Sequence, residues 1–203
     1  MGEHETVVDA RDLSTGLMVV SRAAASDTNR PILAAVRFEQ SADALRRVGA
    51  DNYRISMYDI PATGAELFGS GVQLRIADVR VLRHVIARLH EPLALTIVDN
   101  QLRVQWPYGA VQFRLMEGLY PSYHQVIRPQ KPPTVSLDAR LLAQCAAMFA
   151  KTHATSIDME IDGPLVSVTL RSHGSRLVTV LMPVRHPVSE RPSLPPGADT
   201  DAP

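Results

Sequence analysis

Hydrophobic positions along the chain change period in a fixed succession: strict alternation, then a spacing of three and four, then alternation again. The succession occurs three times, over residues 6–64, 71–129 and 133–185, at a period of about 50–60 residues. Alternation predicts half-buried strands, and the three-and-four spacing predicts amphipathic helices. The copies share pattern rather than letters. The expectation is three repeats of one helix-on-sheet unit, a scaffold that works through shape and surface.

In the first copy, residues 6–10 predict a strand. Asp12 or Ser14 is the expected cap of a helix that keeps Leu13, Leu17, Val20 and Ala24 on one face. A turn at 27–31 leads to strands at 32–38, from 44, and at 53–60, the last stopped by Pro61. In the second copy, Val72, Leu74 and Ile76 alternate. Asp78 is the expected cap, and Val81, Leu82, Val85, Ile86 and Leu89 form the stripe. Strand 93–98 turns at Asp99-Asn100 into the alternation Leu102, Val104, Trp106, and Val111, Phe113, Leu115 follow. Pro121 bars a strand through Tyr120-Pro121-Ser122-Tyr123. In the third copy, a strand at 134–137 precedes the cap Asp138 and the stripe Leu141, Leu142, Cys145, Met148, Phe149. Ile157, Met159 and Ile161 then alternate with Asp158, Glu160 and Asp162. A hairpin turn is expected at Asp162-Gly163, with strands at 165–170 and 177–184. The fold class is therefore α+β with antiparallel sheets. Residues 1–129 are expected to hold two copies and 130–185 the third. The Pro- and Ser-rich stretch 186–203 is expected to be disordered.

Composition narrows the functional classes. Lys and Arg number 21 against 21 Asp and Glu, so the net charge is zero. That argues against a uniformly basic nucleic-acid coat while leaving room for a local basic face. The single cysteine, Cys145, sits in an apolar helical stripe and reads as core. It permits no disulfide within the chain, which points to a reducing cytoplasm. No basic, apolar leader opens the chain, and no apolar run reaches a membrane span.

No phosphate-cradling glycine loop, nucleophile elbow or His-Glu-x-x-His helix occurs in the sequence. The histidines lack metal-ligand spacing, and Asp158, Glu160 and Asp162 read as a solvated strand face. The expectation is a protein without catalysis, metal or cofactor. The helices carry bases outside their stripes. Arg22, Arg80, Arg83, Arg88 and Lys151 are the candidates for contact with a phosphate backbone. Ordinary solvated helix faces fit the same pattern.

Four segments carry a family resemblance. Val48-Gly49-Ala50-Asp51-Asn52-Tyr53-Arg54-Ile55 resembles a strand of the bacterial sliding clamp, the beta subunit of DNA polymerase III, which usually reads Thr-Asp-Gly-His-Arg-Leu. Arg30-Pro31-Ile32-Leu33 resembles its entry into the strand after the first helix. Glu117-Gly118-Leu119-Tyr120-Pro121-Ser122-Tyr123, with Val126 and Pro129, resembles Asp-Gly-x-Phe-Pro-Asp-Tyr and its following proline. Val180-Leu181-Met182-Pro183-Val184-Arg185 resembles the C-terminal Val-Met-Pro-Met-Arg. The segments follow the family's order. Tyr53 stands for the usual His, Ala50 for Thr, Ile55 for Leu and Val184 for Met.

The resemblance implies the DNA-clamp fold and a non-enzymatic role in replication or repair. A clamp chain carries six such copies in three domains, and two chains close a ring around duplex DNA. Here the first two copies resemble the middle domain and the third resembles the second half of the last. Clamps capture short motifs of polymerases and repair proteins in an apolar cleft. Carried over by position, the cleft comprises Leu33, Ile55, Pro121, Val126, Val180, Met182, Pro183, Val184 and Arg185, with Asp51, Asn52, Tyr53 and Arg54 as a polar rim. Implied partners are proteins bearing such motifs, duplex DNA and further copies of this chain. An adaptor that keeps the clamp fold without encircling DNA is the alternative.

Overall fold

The computed structural model describes residues 5–25, 30–127, 135–152, 156–161, 168–172 and 177–183. The chain divides into two units, Met1–Arg128 and Pro129–Leu194.

In the first unit, strand β1 (Thr6–Asp9) runs directly into helix α1 (Ala10–Ser21). Strands β2 (Ala35–Ser41), β3 (Ala44–Ala50) and β4 (Ile55–Pro61) follow. The second copy repeats the plan with β5 (Val72–Arg75), α2 (Ile76–Ile86), β6 (Pro92–Val98), β7 (Gln101–Trp106) and β8 (Gly109–Arg114). The strands form two four-stranded sheets, ordered β1-β6-β7-β8 and β4-β3-β2-β5. Each copy thus gives the strand before its helix to the other copy's sheet. β1 pairs with β6 from Thr6↔Leu95 to Asp9↔Pro92, and β5 pairs with β2 from Ala35↔Arg75 to Phe38↔Val72. The helices pack together over one core that joins Leu13, Leu17 and Val20 to Val79, Leu82 and Ile86, with Phe38, Leu45, Leu93 and Leu95 beneath.

The second unit holds α3 (Ala139–Lys151), β9 (Asp158–Ile161), β10 (Val168–Arg171) and β11 (Thr179–Leu181). Its three described strands are ordered β11-β10-β9. The core is Cys145, Phe149, Val168, Leu170 and Leu181, so Cys145 is a packing residue. Every pairing between described strands is antiparallel, as an α+β fold requires.

Local chemistry explains where elements begin. Asp99 and Asn100 both take positive φ (50° and 58°), which suits a two-residue hairpin between Val98 and Gln101. Asp138 caps α3 by accepting from the amides of Arg140 (2.8 Å) and Leu141 (3.0 Å).

Other boundaries differ from the sequence expectation. The cap of α1 is Asp9, accepting from Arg11 and Asp12, because the strand ends one residue before the helix starts. α2 starts at Ile76 without a side-chain cap. The Ile76 amide donates instead to the Ala34 carbonyl at 2.9 Å, and Asp78 sits inside the first turn, facing the positive end of the helix dipole. Residues Pro31–Leu33 form a 3-10 turn, so the strand starts at Ala35. Val79 takes the stripe position expected of Val81, which is exposed. Leu141, Met148, Met159 and Ile161 are also exposed. Residues 135–137 form no strand among the described residues. The Asp162-Gly163 turn and the stretch 186–203 lie outside the described residues, and Ile161 pairs with Val168.

β3 is buried on both faces. Leu45, Arg47 and Gly49 face α1. Arg47 is wholly buried, its Nη2 donating to the Tyr58 carbonyl at 3.0 Å and its guanidinium lying 5.5 Å from the Tyr58 ring centre. Gly16 of α1 makes room for it: a Cβ there would fall 2.5 Å from Nη2. Burial lowers the Arg47 pKa to about 10. Arg46, on the opposite face, forms a two-pronged pair with Asp59 at 2.9 and 2.8 Å.

Candidate binding surfaces

The outer face of sheet β4-β3-β2-β5 carries Val48, Ala50 and Met57, and there the segment after β8 lays down Tyr120 and Tyr123. With Leu33, Ile32, Ala25 and Ile127 these make a second small core. Gly118, at φ 129°, turns the chain into this segment. Two tyrosines hold it. The Tyr120 ring packs under Arg37, 5.7 Å from Cζ to the ring centre, and burial pushes its hydroxyl pKa up to about 12. The Tyr123 hydroxyl donates to Glu39, a buried carboxylate. Glu39 also accepts from Arg37 Nε at 2.6 Å, and His124 Nε2 lies 3.8 Å away. Arg37 is fixed in turn by the Ser70 carbonyl and, with the Gln73 amide oriented to accept, by Gln73 at 2.9 Å.

With Tyr120 and Tyr123 pointing inward, the residues between and beside them point out. Pro121 is exposed, Val126 is 68% exposed and Leu119 is 95% exposed. The predicted cleft residue Leu33 is only 4% exposed and belongs to the core beneath them, so it supports the surface from behind. Sequence reasoning missed Leu119 and the Arg37–Glu39–Tyr123 chain. The signal for the chain was the alternation of Arg37, Phe38 and Glu39, which sets two charges on the face opposite a core phenylalanine.

The predicted rim is a tight turn organised by one carboxylate. Asp51 accepts from the amides of Tyr53 (2.8 Å) and Arg54 (3.0 Å) and from Arg54 Nε (3.0 Å). The Tyr53 amide first, and the Arg54 side chain with it, hold the Asp51 carboxyl below the usual carboxylate range. Arg54 also donates to the Arg22 carbonyl at 2.6 Å, and Asn52 accepts from Arg30 at 3.3 Å. The turn leaves Tyr53 94% exposed, with Ile55 exposed at the start of β4 on the face of Met57.

In the second unit, Val168, Leu170 and Leu181 face the core, which leaves Val180 and Met182 exposed on the other face of the sheet. Pro183 is half-buried, and Val184 and Arg185 lie outside the described residues.

The candidate phosphate contacts concentrate on α2. Arg80, His84 and Arg88 recur every four residues on the exposed side of α2 and its C-terminal extension, while Arg83 is half-buried. Arg22 and Lys151 are exposed at the C-terminal ends of α1 and α3. None of these five candidate cations pairs with an acid among the described residues. The outward side of α1 instead exposes Met18 and Val19. A cavity of about 340 Å³ lies where β1, β4 and β6 meet, lined by Val7, Asp43, Pro61 and Pro92, and shares no residue with either surface. Among the described residues no cluster could hold a metal ion, and no helix is long and apolar enough to cross a membrane.

Comparison with known proteins gives a consistent picture. The family model described as DNA polymerase III beta subunit, central domain, matches residues 8–122. The beta sliding clamp of Synechocystis sp. is 25% identical over 178 residues, 81% of this chain and 44% of that protein. That of Haemophilus influenzae is 25% identical over 148 residues, 71% of this chain and 40% of that protein. Among solved structures, the DNA polymerase sliding clamp from Bacillus subtilis is similar with a TM-score of 0.75 at 16% identity, over 89% of this chain and 49% of that one. The clamp from Caulobacter crescentus gives 0.74 at 19% identity, over 89% and 50%. The chain thus spans about half the length of these relatives.

Proposed function

Because this chain belongs to the DNA polymerase III beta subunit family through its central domain, we propose that it is a non-enzymatic clamp-like protein of replication or repair that captures short clamp-binding peptides of its partners. The observation that carries this reading is the doubly anchored segment Tyr120–Tyr123. A buried Tyr–Glu–Arg chain fixes its backbone, and it displays Leu119, Pro121 and Val126 to solvent. Exposed apolar groups held on a rigid support suit peptide capture, since little ordering is left for the complex to impose. Two or three peptide side chains buried here contribute about 1.5–3 kcal/mol each before ordering costs. Tyr53 and Ile55, held by the Asp51 turn, belong to the same reading.

The test is a titration of a labelled clamp-motif peptide, read by fluorescence anisotropy. Val126→Asp sets a charge among the apolar groups while staying in reach of water, so the fold survives and binding is lost. Met182→Asp asks the same of the second unit. No signal with the unaltered chain at high micromolar peptide, or full affinity in Val126→Asp, refutes the reading.

The exposed Arg80, His84 and Arg88 on α2 favour an added contact with duplex DNA. Such contact goes to phosphates and weakens steeply with salt. The same titration with duplex DNA across salt concentrations separates the two forms of the proposal. Peptide capture without DNA binding at low salt identifies an adaptor.

A further inference from the structure

The first unit displays how two copies of this repeat complete each other. The strand before each helix crosses to the partner copy and pairs with the strand after the partner's helix, β1 with β6 and β5 with β2. The two helices then close over a shared core in which Leu93 and Leu95 of β6 are 0% exposed.

The second unit has one copy, and what it leaves open is what a partner copy supplies in the first. β9, the strand after its helix, pairs with β10 on one edge, and its other edge has no strand partner among the described residues. Met159 and Ile161 lie across from Leu170 and Val168 and so face the same side, inward. Yet they are 51% and 42% exposed where those neighbours are 0%. On α3, Leu141 and Met148 stand exposed beside the buried Cys145 and Phe149. Finally, residues 135–137, just before the Asp138 cap, are in the place that β1 holds before its Asp9 cap, and they have no strand partner among the described residues. Val135 and Leu137 rest on the unit's own core, as Val8 of β1 does in the first unit, so a segment without a strand partner, an edge unpaired among the described residues and a bare helix flank are matching parts of a single interface. A free apolar edge left uncovered is an aggregation hazard.

We infer that the second unit pairs with the second unit of another copy of this chain. Residues 135–137 of each add to the free edge of β9 in the other, and the two α3 helices close over Met159 and Ile161. The contact is isologous, as a two-fold dimer requires. It stands apart from the peptide reading, using neither Val126 nor Met182.

The experiment takes the full chain. Sedimentation equilibrium should return 44.4 kDa, twice the 22.2 kDa of one chain. The pairing itself is tested by two single substitutions, Ser136→Cys and Glu160→Cys, made in separate chains and mixed before adding a short bis-maleimide. Ser136 corresponds to Val7 by its distance from the cap, and Glu160 faces outward on β9 beside Thr169. A cross-linked pair should form in the mixture well above the level in either chain alone. The unaltered chain, whose Cys145 is buried, is the control. Circular dichroism of each variant checks that it folds. A 22.2 kDa species persisting to about 100 μM overturns the inference. So does a dimer in which the mixture gives no cross-link, or a chain carrying both substitutions that links only to itself.

Discussion

Replacing Arg47 with methionine should make the first unit more stable. The guanidinium is wholly buried under α1, with one hydrogen bond to a carbonyl and one ring face, and Nε and Nη1 find no partner among the described atoms. Burial lowers its pKa from the ordinary guanidinium value to about 10, which sets the penalty on the charged form at about 3 kcal/mol at neutral pH. Methionine follows the same unbranched path with no charge to desolvate. Against that gain stands the Tyr58 carbonyl, which loses its donor at a cost of about 1–2 kcal/mol. The net expectation is a gain of about 1–2 kcal/mol, in line with apolar replacement of buried ionic groups. Trp106, the single tryptophan, lies on β7, so its fluorescence during urea unfolding reports on this unit. The pH dependence has a definite sign. A base whose folded pKa lies below its unfolded value carries its full penalty below pH 10. The penalty is relieved as pH rises from about 10 towards the ordinary guanidinium value, because the folded chain there releases a proton that the unfolded chain keeps. The advantage of Arg47→Met should therefore shrink across that window. A variant less stable than the parent by about 1 kcal/mol or more at neutral pH would refute the reasoning, because the ring and carbonyl would then outweigh desolvation.

Tyr123→Phe removes the hydroxyl that donates to the buried Glu39 and should cost about 1–3 kcal/mol in urea unfolding, with weaker capture of the clamp-motif peptide; a change under about 0.5 kcal/mol counts against the anchor. Asp51 is held below the usual carboxylate range, so its support of the 51–54 turn is full above about pH 4 and lost as pH falls through its folded pKa. Amide signals of Tyr53 and Arg54 followed by NMR from pH 5 downward should shift together, and Asp51→Asn should abolish that transition; signals that titrate alike in both proteins exclude Asp51 as the organiser.

The order of strands and helices was legible because each period has one cause. Alternation in 102–106 and the four-residue spacing of Leu13 and Leu17 report which face meets the core. Boundaries were less legible where one residue serves two patterns. Ile76 continues the alternation of Val72 and Leu74 yet opens α2, and the backbone of Ala34, distant in sequence, supplies its capping contact. Asp9 read as strand because it is at once the last strand residue and the cap of the helix that starts at Ala10. Of the candidate surfaces, the Asp51 turn follows from local sequence alone. The tyrosine anchor does not, since Glu39 and Tyr123 meet only after the chain crosses the outer face of the sheet. Arg47 was out of reach too, because the alternation of Arg46 and Arg47 tells that one side chain points inward but not that Gly16 makes room for it.

The crossing of β1 and β5 between copies also governs how the chain is born. Thr6 leaves the ribosome early, but its partner Leu95 is about 90 residues behind. At about 5–20 residues per second, synthesis of that interval takes on the order of 4–18 s. The hairpins β2–β3 and β3–β4 close locally and can form during this time. β1 and the inner face of α1 wait for the second copy, so the nascent first copy carries an open sheet edge at β2 and an uncovered apolar helix. Chaperone contact should therefore concentrate on nascent chains in which the first copy has left the ribosome and residues 92–98 have not. Slowing translation before residues 92–98 have left the ribosome should lengthen the exposure, whereas slowing it after they have emerged should not.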